Sequence, residues 1–261
     1  MDYQIAVPSY NRASTLKNKT LTFLEQHNIS RNKITIWVAN QDELYRYRDE
    51  IGDSWNIQIS QKGLVASRCY YHSQYAHGTR ILNIDDDIEN LLIGENNRLR
   101  PYSQNLDQFI CNAFTNSEKY KVRLWGVNGA ANPMFLKEQI IIGLRYLVGA
   151  FFGSYANDEI FDINNRTDKS SGEDFEMTLM AYERDGAVLR HDGITIKTAY
   201  FATGGIDQEL KDAGITDRQI EHDKTLRAIA NKYQDIAKVY TKAKGVTNIR
   251  LKPITIARIK Q

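Results

Sequence analysis

The sequence predicts an α/β fold: a mixed, mostly parallel sheet flanked by helices, with a basic C-terminal helical segment. Three observations carry that expectation. Short apolar runs alternate with stretches of helical periodicity from Tyr3 to Ile84, the pattern of strand–helix–strand units that build parallel sheets. Polar clusters follow three of those runs directly, at Pro8-Ser9-Tyr10-Asn11-Arg12, Asn40-Gln41 and Asp85-Asp86-Asp87. Ligands of such sheets bind beyond the carboxyl ends of the strands, so the three clusters would meet in one crevice. The last cluster puts three consecutive carboxylates where the run Ile81-Leu82-Asn83-Ile84 emerges, and carboxylates at such a place are seldom buried unless paired or bound to a metal.

The elements follow in order. Tyr3 to Val7 is an apolar strand stopped by Pro8, and Ser9 to Ser14 is irregular. Thr15 to His27 has helical spacing through Leu16, Leu21, Phe23 and Leu24. Ile34 to Ala39 is a second strand, Glu43 to Glu50 a helix and Ile57 to Ile59 a short strand. A turn at Gly63 leads into a helix from Val65 to Ala76, and Arg80 to Ile84 is the strand that carries the acidic triplet. Leu106 to Thr115 is helical and Val122 to Val127 extended, with a loop over Gly126–Pro133. Ile140 to Ile142 and Tyr146 to Phe152 are apolar strands, and Asn157 to Lys169 is polar and loop-like. Glu173 to Asp185 is a helix that Gly186 terminates well. Ile194 to Phe201 alternates as a strand, and Thr203-Gly204-Gly205 is a turn. Asp217 to Tyr240 has the pattern of one long helix, and Ile249 to Ile259 that of a strand or a disordered arm.

A chain of 261 residues suits one large domain or a domain with a small appendage. We expect a main unit over 1–209 and a basic helix and tail over 210–261, packed on it or binding a partner. The net charge of +2 hides an asymmetry: 22 Lys and Arg against 27 Asp and Glu in 1–209, then 12 against 5 in 210–261. From Ile236 onward there are Lys238, Lys242, Lys244, Arg250, Lys252, Arg258 and Lys260 and no acid. A basic end on a slightly acidic body points to a polyanionic partner, nucleic acid or a membrane surface, unless it is a solvated face. No apolar run reaches transmembrane length and no signal peptide opens the chain. Two distant cysteines, Cys69 and Cys111, form neither a disulfide framework nor a zinc pattern. A cytoplasmic setting is expected.

The chemistry gathers at two acidic places. Mg²⁺ and Mn²⁺ take oxygen ligands and leave room for substrate phosphates, so the Asp85–Asp87 strand end suits a metal and a phosphorylated ligand. An acidic turn or a helix N-terminus would carry the same residues. Ser171-Gly172-Glu173-Asp174-Phe175 sets two carboxylates at a helix start, where the dipole favours them. A metal site with a separate carboxylate is the minimum set for metal-assisted displacement: one group neutralises a leaving diphosphate and the other takes a proton from the attacking hydroxyl. Gly63 to Arg68 supplies a turn, a helix start and a cation whose forked donors suit a diphosphate or a base edge. The glycines match neither a P-loop nor a dinucleotide fingerprint. No GxSxG or Cys/His signature supports a nucleophilic hydrolase. Of the histidines only His222, between Glu221 and Asp223, is a candidate third metal ligand.

Together these residues resemble the GT-A fold nucleotide-sugar glycosyltransferases, in family order from Ile5 to about Gly205: Val7 to Arg12, Gly63 to Arg68, Asp85–Asp87, then Gly172-Glu173-Asp174. The resemblance implies a Rossmann-like sheet, a UDP-sugar or similar donor, and Mn²⁺ or Mg²⁺. It implies that Pro8, Ser9, Tyr10, Asn11, Arg12 and Asn40 hold the nucleoside and that Arg68 contacts base or diphosphate. Asp85 would bond the ribose or share the metal, Asp87 would coordinate it, and Asp86 stands between these roles. Asp174 would be the general base of an inverting transfer, with Glu173 placing the acceptor. Trp125-Gly126-Val127-Asn128, Gly149 to Gly153, Gly172-Glu173-Asp174 and Thr203-Gly204-Gly205-Ile206 further look like phage glycosyltransferases associated with TET/JBP-type dioxygenases. That likeness implies an acceptor of hydroxymethylated pyrimidines in DNA, in a host cytoplasm, with the basic end meeting phosphates. A glycan or lipid-linked acceptor, and a non-catalytic nucleic-acid-binding module, are the alternatives.

Overall fold

The computed structural model describes residues 2–166, 172–198, 218–241 and 247–260. Its first half is the expected alternation. Strands β1 (Gln4–Pro8), β2 (Ile34–Val38), β3 (Asn56–Ile59) and β4 (Arg80–Ile84) lie side by side in parallel, in the order β3-β2-β1-β4. β2 is buried along its whole length, as a strand covered on both faces should be. Between the strands run α1 (Ala13–Leu16), a π turn (Lys17–Leu21) and α2 (Thr22–Gln26) without a break, then α3 (Gln41–Ile51) and α4 (Leu64–Gln74).

Beyond β4 the sheet becomes mixed. β5 (Ile88–Glu95) and β6 (Arg98–Pro101) form a hairpin, α5 (Leu106–Lys119) follows, and then come β7 (Trp125–Asn128), β8 (Gln139–Leu144) and β9 (Phe151–Tyr155). Helix α6 (Glu173–Asp185) leads into the long β10 (Val188–Thr198). The sheet continues from β4 through β9, β7, β10 and β8 to β13 (Ile254–Lys260) at the far edge. Along this path only β9 and β8 run against the common direction. The fold is therefore the mixed, mostly parallel sheet flanked by helices that the sequence predicts. The carboxyl ends of β1, β2, β3, β4 and β7 share one end of it.

The main core packs under the sheet, with Phe109, Phe114, Trp125 and Phe151 as its aromatic centre. Trp125 lies across Gly153, where an added Cβ would stand 2.0 Å from the indole nitrogen. Only a residue without a side chain fits that spot.

Four elements differ from expectation. The β5–β6 hairpin was not expected, although Asn96 and Asn97 form a two-residue loop with both φ angles positive, 49° and 57°, the chemistry of a tight hairpin. The stretch Tyr146 to Ala150 is not strand; it crosses the sheet before β9 begins. The long helix expected over Asp217 to Tyr240 ends at Lys232: α7 (Arg218–Lys232) gives way to β11 (Ala237–Thr241), which pairs with β12 (Thr247–Leu251). Cross-strand pairing overrides local helical pattern there. The final segment is two strands, divided at Pro253, which has no N–H to offer a ladder. Ser171, the Phe201 end of the predicted strand, the Thr203–Ile206 turn, Lys242 and Lys244 lie outside the described residues. No helix among the described residues is long and apolar enough to cross a membrane.

Candidate active site

The cleft sits where the parallel strands end. Pro8, Ser9, Tyr10, Trp37, Gln61 and Asp86 are among the residues that line it. Just past Pro8 the chain turns through Asn11, whose φ of 56° is left-handed, a conformation asparagine tolerates better than most residues. A proton chain fixes this turn. The Arg12 amide donates to the Tyr47 hydroxyl (3.0 Å), Tyr47 lies 2.6 Å from Ser9 Oγ, and Ser9 donates to Asp86 Oδ2 (2.5 Å). The Asn11 amide donates to Glu43 (2.7 Å). Tyr47 and Glu43 come from α3, so the helix after β2 shapes the loop after β1. Lys62 lies 5.2 Å over the Tyr10 ring at the mouth.

The acidic triplet splits between two arginines. Asp86 is buried, 4 % exposed, and meets Arg12 at 2.9 Å. Burial pushes its carboxyl up to about 7, against the pull of Arg12 and Ser9. Asp87 meets the other Arg12 nitrogen at 3.0 Å. Asp85 turns the opposite way, to Arg68 at 2.7 Å, and burial lifts it to about 6 despite that cation. Thr20, inside the π turn, accepts from the Ile88 amide (2.9 Å) and donates to the Asp85 carbonyl (2.6 Å). It closes the loop that carries all three.

Arg68 joins the two acidic places. It is 1 % exposed. One guanidinium nitrogen pairs with Glu173, and the other with Asp85 and with the Gly149 carbonyl at 2.6 Å. The guanidinium carbon lies 5.2 Å over the Phe152 ring. Gly149 passes so close that an added Cβ would stand 2.8 Å from Glu173 Oε1 and 3.1 Å from the Asp174 Cβ. The turn expected to contact base or diphosphate delivers a buried cation that is paired with Asp85 and Glu173.

At the start of α6, Gly172 is left-handed at φ 86°. Asp174 Oδ1 accepts from the Phe175 amide at 2.9 Å, and Oδ2 accepts from the Tyr146 hydroxyl. Burial raises its pKa; the tyrosine, the amide and Arg68 hold it down. Arg166 supports the same turn from behind, donating to the Glu173 carbonyl at 2.9 Å and pairing with buried Glu176 at 3.4 Å.

The structure therefore gathers Ser9, Tyr10, Arg12, Asp85, Asp86 and Asp87 about the cleft and ties Glu173 and Asp174 to them through Arg68. Asn40 stands apart: its side chain caps α3, accepting from the Glu43 amide at 2.9 Å. His222 lies on α7, and the described residues hold no group of three His, Cys, Asp or Glu side chains placed for a metal. It is not brought to Asp85 and Asp87 as a third ligand. Asp85 and Asp87, the carboxylates that the resemblance gives to Mn²⁺ or Mg²⁺, are held here by different arginines, Arg68 and Arg12; hard oxygens of this kind suit either ion. Sequence reasoning missed Tyr47, Thr20 and Tyr146. Tyr47 stands four residues after Glu43, one helical turn, the single signal that could have paired them.

No family profile and no curated protein matches the sequence. The fold does match solved structures. S. aureus TarS 1–349 aligns at TM-score 0.53 and 14 % identity, covering 89 % of this chain and 65 % of that one. Glucosyl-3-phosphoglycerate synthase from Mycobacterium tuberculosis, solved with Mn²⁺, UDP and glucosyl-3-phosphoglycerate, aligns at 0.51 and 9 % identity, covering 98 % and 88 %. The same enzyme with Mg²⁺ and UDP aligns at 0.50 and 10 %, covering 98 % and 89 %. The chain spans about two thirds of the TarS length it matches. The architecture is that of the GT-A nucleotide-diphospho-sugar transferases.

Proposed function

We propose that the protein is a metal-dependent glycosyltransferase that moves a sugar from a nucleoside diphosphate, UDP for preference, to a hydroxyl acceptor with inversion. The observation that carries this is the convergence on one buried arginine: Arg68 holds Asp85 from the cleft and Glu173 from the helix that bears Asp174. The neighbours crystallised with UDP and Mn²⁺ or Mg²⁺ support it at the level of fold.

The residues have separable tasks. Ser9, Tyr10 and Arg12 receive the nucleoside in the cleft at the ends of β1 and β2. Asp85 and Asp87 would hold the Mn²⁺ or Mg²⁺, which when bound supplies positive charge to the leaving diphosphate. Arg12, paired to Asp86 and Asp87, is placed to add to that charge. Asp174 takes the proton of the acceptor hydroxyl as its oxygen bonds to the anomeric carbon. The bond from that carbon to the diphosphate oxygen breaks, and the electron pair leaves with the nucleoside diphosphate. Glu173 places the acceptor.

For the acceptor we favour 5-hydroxymethylpyrimidine in DNA. The support is the sequence likeness and the exposed cations Lys238, Arg250, Lys252, Arg258 and Lys260 around β11 to β13, since phosphate contacts dominate such binding. The test is mass spectrometry of nucleosides from hydroxymethylated DNA incubated with the protein, Mn²⁺ and a panel of UDP- and GDP-sugars. A metal-dependent mass gain on the modified base is expected, lost in Asp174→Asn and Asp87→Asn. Hydrolysis of donor without that gain would remove the DNA acceptor and leave a glycan or lipid-linked one. Neither gain nor hydrolysis, with DNA still bound, would leave a non-catalytic binding module.

A further inference from the structure

We propose that Tyr146 is the positioning residue for Asp174, its hydroxyl holding Oδ2 while the helix amide holds Oδ1, so that the carboxylate meets the acceptor in one fixed orientation. The inference rests on the transfer proposed above. It assigns a residue that no motif of the sequence marks.

Tyr146 is itself gripped on several sides. Its ring packs on Phe175 with centroids 4.5 Å apart. Its backbone carbonyl accepts from Arg190 at 3.2 Å, and Arg190 is in turn anchored to Asp192. A Cβ on Gly129 would stand 3.1 Å from the ring edge, so the loop after β7 closes against it. A phenol held this way keeps its hydroxyl at one point, and a single-acceptor partner such as Asp174 Oδ2 then loses its rotational freedom. This is how a supporting hydrogen bond preorganises a base. The tyrosine sits on the segment that crosses from β8 to β9, the same segment that delivers the Gly149 carbonyl to Arg68. One strip of chain therefore sets both the cation and the base.

Few charged or titratable groups face the Asp174 carboxylate. Among the described residues they are Tyr146 from the crossing segment and Arg68 from α4. Tyr146→Phe removes the donated hydrogen bond and keeps the ring. With burial then less opposed, the carboxyl should titrate about one pH unit higher, since a hydrogen bond to a charged group has that worth.

The experiment is a carboxyl ¹³C titration of the full chain, with the Asp174 signal assigned by its loss in Asp174→Asn. In parallel the pH dependence of kcat/KM and the donor KM are measured for the wild type and Tyr146→Phe. The expected result is a midpoint about one unit higher in Tyr146→Phe, the acid limb of kcat/KM moving with it and the donor KM unchanged. An unmoved midpoint, or a kcat that falls evenly at every pH, overturns the assignment. A midpoint that moves in a protein that transfers to no hydroxyl keeps Tyr146 as Asp174's partner and removes the transfer reading instead.

Discussion

At the residue scale the site depends on one cation with two anions. Removing one member of a buried ionic cluster leaves the others uncompensated, at a cost of about 3–5 kcal/mol. Arg68→Ala is expected to destabilise the protein by that order, read as a fall in urea midpoint at unchanged slope. Gly149 is the complementary case. Its missing side chain is what lets Glu173 and Asp174 approach, so Gly149→Ala should cost about 1–3 kcal/mol by overpacking and lower transfer more than UDP binding. Equal loss of both would place the damage in the cleft instead. Asn40→Ala separates two roles. As the α3 cap it should lose about 1 kcal/mol of stability with the Kd for UDP unchanged; a weakened Kd would return Asn40 to the nucleoside.

At the element scale the sequence was legible where pattern and packing agree. β1 to β4 and the helices between them lie where periodicity puts them, because buried parallel strands are continuous apolar runs. The triplet and the Gly172-Glu173-Asp174 turn stand out in the sequence because each clusters carboxylates at a strand end or a helix start. Three kinds of feature escaped. Thr20 is buried by a π turn, and a search at helical period has no place for an extra residue. Tyr47 and Tyr146 are common residues whose hydroxyls matter only after folding brings Ser9 and Asp174 to them. β11 lies in a helical-looking sequence and is extended because β12 pairs with it. Thr20→Val should keep the helix and lose both bonds to the acidic loop. We expect weaker Mn²⁺–UDP binding with a change in stability of about 1–3 kcal/mol, measured by calorimetry and urea unfolding.

At the scale of the whole molecule, burial sets an opposed pair of acid responses. His72 and His191 are buried and neutral, their pKa pulled down to about 3 by desolvation. The unfolded chain binds those protons near 6.5, so their contribution is lost as pH falls from there towards 3, at about 1.4 kcal/mol per unit each. Asp85 and Asp86 act with the opposite sign. Their folded pKa values, about 6 and 7, lie above the unfolded value, so they favour the fold as pH falls to about 4. The two pairs oppose each other between pH 6 and 4, and Asp158 and Asp174, also raised by burial, add to the carboxyl side. Below 4 only the histidine loss remains, joined by Asp107 and Asp185, whose pKa values are lowered by their partners. Stability should be nearly flat from pH 6 to 4 and then fall steeply, as urea unfolding across pH 3–6.5 would show. A steady decline from pH 6.5 would mean the carboxyls ionise freely in the fold.

A guanidinium shared by two carboxylates makes them rivals for one charge. In the transfer proposed above Asp85 would serve the donor and Glu173 the acceptor, and Arg68 touches both carboxylates. Whatever draws Asp85 away strengthens the hold on Glu173, and the reverse is equally true. The two substrates would then feel each other through the protein as well, as a thermodynamic linkage equal in both directions. Glu173→Gln should change the affinity for UDP with Mn²⁺ although it contacts neither, and acceptor binding should in turn depend on whether the donor is already there. Each substrate's affinity would then carry the imprint of the other through a single shared arginine.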